Sequence, residues 1–72
     1  MAKWVCDDVE HVYYTDIDGA FFIAVPYKRK NLTRFAIQKM TSKKYQLIGT
    51  VRASLIWKKQ ATALVKKFMS EN

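Results

Sequence analysis

This sequence predicts an α+β domain: an antiparallel meander of three to four strands with one C-terminal helix packed on one face. Three observations carry that expectation. Strand-like runs alternate with turn signals over residues 9–52, a helical apolar pattern fills residues 54–70, and only two glycines and one proline interrupt the 72 residues. Strands followed by a single helix call for a sheet with the helix laid across it.

Each element follows from its residues. Residues 9–14 (VEHVYY) are rich in β-branched and aromatic side chains and read as a strand. Val5, Val9, Val12 and Tyr13 also fit a helical stripe, so strand and helix both stay open there. Residues 20–27 (AFFIAVPY) form the clearest strand, with Pro26 marking its end or an edge. A polar loop is expected at 28–32, an alternating strand at 33–40, a turn at 41–44 (TSKK) and a further strand at 45–52. Gly49 inside that last strand signals a bulge or a close approach by another element. Ser54 is the expected N-cap of the helix. Trp57, Ala61, Leu64, Val65 and Phe68 then make one apolar face, with Lys59 and Lys66 opposite and Lys58 and Lys67 on the flanks.

Composition bounds the class. Half of the residues are hydrophobic and ten are aromatic, enough for one small folded domain spanning 1–72. Cys6 is the only cysteine, which fits a reducing, cytoplasmic setting. The opening Met1-Ala2-Lys3-Trp4 has no apolar core of a signal peptide, and no run is long enough to span a membrane. The net charge is +7, but its layout matters more: residues 1–19 sum to −4 and residues 20–72 to +11. The chain thus divides into an acidic N-terminal strand and hairpin turn (1–19), a sheet (20–52) and a helix (54–70). A positive field of this density attracts polyanions, of which nucleic acid is the commonest in the cytosol.

The segment TDIDGAFFI (15–23) admits three readings. A calcium loop needs further oxygen ligands after its glycine, and AFFIAVPYKRK offers no carboxylate. Asp16-Ile17-Asp18-Gly19-Ala20-Phe21 also resembles the D-x-D-G-S-F segment of LAGLIDADG homing endonucleases. The small-residue helix that precedes it there is replaced by Val12, Tyr13 and Tyr14, and the match is taken as chance. Asp-Gly between two strand-like runs is a strong hairpin signal, and a turn is the reading adopted. Cys6 and His11 supply at most two zinc ligands where a structural site needs four, and no phosphate-binding glycine loop is present. No catalytic residue, metal site or cofactor is assigned, and an enzyme is not expected.

The sheet carries the functional expectation. With Phe21, Ile23, Val25, Phe35, Ile37, Leu47 and Val51 turned to the helix, Ala20, Phe22, Ala24, Ala36 and Ile48 would lie on the open face. Arg34, Gln38, Gln46, Thr50 and Arg52 would stand among them. Arginine and glutamine suit bidentate contacts with base edges. Lys28, Arg29, Lys30, Lys43 and Lys44 fall in flanking turns, where they could reach phosphates. This layout is similar to the three-stranded-sheet DNA readers of plant ethylene-response factors and recombinase arm-binding domains. The resulting expectation is a small DNA-binding regulatory or accessory factor, DNA being favoured over RNA. The alternative is a non-catalytic module or inhibitor, of the kind common among phage and plasmid products, that docks an acidic protein. Residues 9–14, as an edge strand, could also pair with a second copy. No membrane partner is expected, because the helix's apolar side is needed for the core.

Overall fold

The computed structural model describes residues 3–71; Met1, Ala2 and Asn72 lie outside the described residues. Five strands, not three or four, form one antiparallel sheet in sequential order: β1 (Val5–Asp7), β2 (Val12–Ile17), β3 (Ala20–Arg29), β4 (Leu32–Met40) and β5 (Tyr45–Arg52). Helix α1 (Trp57–Ser70) follows and covers one face. The extra strand is β1, whose three residues VCD are too few and too acidic to display an alternating pattern. Its pairing with Val12–Tyr14 makes β2 an interior strand, so 9–14 is not the edge it was expected to be. Residues 8–11 instead form the β1–β2 turn. There the Asp7 carboxylate accepts from the Val9 and Glu10 amides at 2.8 and 3.3 Å, and His11 takes a φ of 58°.

The remaining turns follow local chemistry. Asp18 and Gly19, at φ 52° and 82°, make the two-residue hairpin turn that matches the strands' right-handed twist. Asp16 closes it by accepting the Gly19 amide at 3.1 Å. The expected polar loop at 28–32 contracts to Lys30-Asn31, at φ 50° and 69°: the same kind of turn without a glycine. At 41–44 the Thr41 hydroxyl accepts the Lys44 amide at 3.2 Å, and the Thr41 amide donates to the Lys44 carbonyl at 3.0 Å.

The core lies between α1 and one face of the sheet, centred on Trp57. Its indole stacks on Phe35 with ring centroids 4.0 Å apart, meets the Tyr13 ring at 4.8 Å and lies 5.6 Å from Trp4. Trp4 in turn donates its Nε1 hydrogen to Thr62 Oγ1 at 3.1 Å, which ties the segment before β1 to the helix. Phe22, Ala24, Ile37, Val51, Ala61 and Val65 complete the cluster.

Two facing expectations are overturned. In β3 it is Ala20, Phe22 and Ala24 that turn toward the helix, while Phe21, Ile23 and Val25 face away. Every residue from 20 to 25 is apolar, so alternation alone could not choose the phase. Tertiary packing chose the smaller set: Ala24 sits in register between Tyr13 and Ile37, which belong to the helix-side cluster. In β5 the register slips between the pairs Ile37–Gly49 and Gln38–Leu47, leaving Ile48 as the bulged residue. The slip reverses the pleat: Leu47 turns to the open face, while Ile48 packs on the helix-side core. Gly49 beside the bulge admits the helix. A Cβ there would stand 2.7 Å from a Leu64 methyl.

The helix begins later than expected. Ser54 is not its N-cap: α1 starts at Trp57, with Ile56 in the cap position and no side-chain cap, and the Ser54 carbonyl accepts the Trp57 amide at 3.2 Å. Starting there sets the phase that buries Trp57, Ala61 and Val65 on one stripe. Among the described residues no helix is long and apolar enough to cross a membrane.

Candidate nucleic-acid interface

The face of the sheet opposite α1 has no element over it among the described residues. Pairing registers place its side chains in rows across β3, β4 and β5. One row is Tyr27–Arg34–Arg52, the next Val25–Ala36–Thr50, the next Ile23–Gln38–Leu47. Met40 and Tyr45 pair at the end away from the arginines, the end at which Phe21 lies near the start of β3.

Arg34 and Arg52 are directly opposite one another, and Arg34 Nη2 donates to Thr50 Oγ1 at 3.0 Å. Like charges in cross-strand register repel, at roughly 0.2–1 kcal/mol. A bound anion would turn that repulsion into two converging attractions.

Of the ten residues the sequence singled out, the structure gathers Arg29, Arg34, Gln38, Thr50 and Arg52 on this face. Lys30 stands in the β3–β4 turn and Lys43 and Lys44 in the β4–β5 turn, so exposed cations bracket both ends. Lys28 and Gln46 belong to the other phase: Lys28 pairs with Thr33, and Gln46 is moved beside Lys39 by the bulge. The neighbours on the open face are not the expected Ala20, Phe22, Ala24 and Ile48, and several are large and apolar. Phe21 is 57% exposed, Tyr45 55% and Leu47 60%, with Tyr14 and Tyr27 half-buried. The signal for them was the second apolar phase of residues 20–27, which the size of Phe21, Ile23 and Val25 argued into the core.

The acidic segment leaves the basic part of this face clear. Asp7 and Asp16 lie on β1 and β2, and strand order sets β2 three positions from β5, ~14 Å at the usual strand spacing. That exceeds the Debye length of ~8 Å at physiological salt. Around β1 and β2 the face instead carries a shallow groove of about 380 Å³ lined by Lys3, Val5, Tyr14, Thr15, Asp16 and Phe21. Tyr14 donates its hydroxyl to Glu10 Oε2 at 3.1 Å. Its pKa is pushed up from 10.0 to about 12, first by desolvation and then by the hydrogen bond and charge of Glu10, with Asp7 adding to both.

Cys6 is a free, exposed thiol, and among the described residues no three His, Cys, Asp or Glu side chains gather as a metal-ligating group. No family model, no curated protein and no solved structure matches this chain.

Proposed function

We propose that this protein binds nucleic acid, DNA in preference to RNA, through the helix-free face of its sheet. It would act as a small accessory or regulatory factor rather than as an enzyme. The observation that carries the reading is the in-register pair Arg34–Arg52, set on an uncovered face between turns that hold Lys30, Lys43 and Lys44. The arginines are suited to phosphate oxygens or base edges, and the turn lysines to the backbone on either side.

The test is the salt dependence of binding, read as anisotropy of a fluorescein-labelled DNA. Neutralising about five phosphates predicts a loss of affinity of about a hundredfold on a single strand, or about five-hundredfold on a duplex, between about 50 and 200 mM salt. The double variant Arg34→Ala with Arg52→Ala should flatten that dependence. An affinity indifferent to salt would remove the reading.

A second reading has its own support. Exposed Leu47 and Tyr45 on the terminal strand β5 would suit a protein partner that extends the sheet at that edge. Such a complex would survive salt that dissociates DNA.

A further inference from the structure

Resting on that reading, we infer that the ligand of the helix-free face is single-stranded DNA, held by bases stacking on Phe21, Tyr45 and Tyr27 while Arg34 and Arg52 take the backbone.

Extent is the first reason. The ligand-facing residues are spread over three strands, β3, β4 and β5, and over ~20 Å of strand length from Phe21 to Tyr27. A B-DNA major groove is ~12 Å wide and admits a helix or a two-stranded ribbon. The whole face cannot be laid into a duplex groove. A single strand needs no groove and can lie across it.

The chemistry of the face is the second reason. A duplex presents its bases edge-on, to be read by donors and acceptors. Here the arginines are interleaved with side chains that have no polar group to offer: Phe21, Leu47 and Val5 are each more than half exposed. Unstacked bases present flat apolar surfaces, which aromatic rings receive well and without regard to sequence. Tyr27 shares a row with Arg34 and Arg52, so a ring and two guanidinium groups are adjacent, the combination that holds a base and its phosphate together. Phe21 lies six residues from Tyr27 on the same strand, ~20 Å away, and Tyr45 sits at the Phe21 end. Stacking positions therefore occur at both ends of the basic face, a spacing suited to the ~4–16-nucleotide sites of small β-domains that hold single strands.

Deoxyribose is favoured over ribose by the same apolar lining. A 2′-hydroxyl set down among Val25, Ala36 and Leu47 would lose water without gaining a partner.

The experiment compares three fluorescein-labelled ligands at one low salt concentration, using the full chain: a dT 12-mer, a U 12-mer and a 12-base-pair duplex. The dT 12-mer should bind at least ten times more tightly than the duplex, and more tightly than the U 12-mer. A smaller preference, a preference for duplex, or equal or tighter binding of the U 12-mer overturns this inference while leaving nucleic-acid binding in place. No binding to any of the three overturns both. Phe21→Ala and Tyr45→Ala alter exposed side chains, so both variants should fold. Each should weaken dT binding about tenfold without changing its salt slope, whereas Arg52→Ala should lower the slope by about 0.7. Unchanged dT affinity in both aromatic variants would remove the stacking platform.

Discussion

Phe21 and Phe22 are neighbours in one strand, yet one is 57% exposed and the other completely buried. The two faces of the sheet differ in the same way along β3, β4 and β5, although Val12 and Ile23 on the helix-free side are themselves buried among their neighbours. The helix side is closed by Trp57 stacked on Phe35 and by the Trp4–Thr62 hydrogen bond. The open side carries apolar side chains with arginines set among them and, among the described residues, no element above it. Apolar residues on the first face are explained by folding. On the second they are not, since exposed aromatics add little to stability and invite association. The core and the proposed binding face are thus separated by the thickness of one sheet, and substitutions on adjacent residues can tell them apart.

The largest contrast is between Phe22→Ala and Phe21→Ala. Truncating a fully buried phenylalanine costs about 3–5 kcal/mol. A chain of this length has roughly 4–11 kcal/mol in total. Phe22→Ala should therefore lose most of its cooperative thermal transition, while Phe21→Ala should stay within about 0.5 kcal/mol of the parent. Equal losses on heating, followed by circular dichroism, would mean that the two faces are not distinct.

A smaller effect of opposite sign sharpens the picture of the closed side. Thr15 is buried on β2 and its hydroxyl has no hydrogen-bond partner among the described residues. Thr15→Val keeps the shape and removes the unpaired group, so stability should rise by about 1 kcal/mol and Tm by about 4–8 °C. A lower Tm would show that the hydroxyl is satisfied in solution.

The smallest effect belongs to the open side. Tyr14 has its pKa raised from 10.0 to about 12. The unfolded chain therefore gives up this proton before the folded one does. The contribution to stability is full below pH 10 and falls away as pH rises toward 12. An alkaline absorbance titration should show one of the four tyrosines ionising late, and Tyr14→Phe should abolish that late phase.

Particular residues mark how far the sequence could be read. Asp18-Gly19 announced its turn because glycine accepts a positive φ cheaply, and the turn is where it was expected. The 3.6-residue recurrence of Trp57, Ala61 and Val65 announced the buried stripe of α1. The Lys30-Asn31 turn carries the same backbone with no glycine to signal it, and β1 is too short to show a pattern. On the open face, Arg34, Gln38, Thr50 and Arg52 were legible from alternation in β4 and the end of β5, whereas Gln46 was misplaced because a single bulged residue reverses the pleat. Gly49 signals that bulge, but a glycine alone does not say which neighbouring residue is the bulged one.

By itself the sequence determined the α+β class, the hairpin at Asp18-Gly19, the helical stripe and the segregation of acidic from basic residues. These depend on local backbone preference and on periodicity, which the chain carries in linear order. Tertiary structure alone decided which phase of β3 is core, where β5 slips, and that aromatic and basic side chains share one open face. An all-apolar strand satisfies either phase locally, and the choice falls to the packing of the helix-side cluster, into which Ala24 fits, and to the space that Gly49 leaves for the helix.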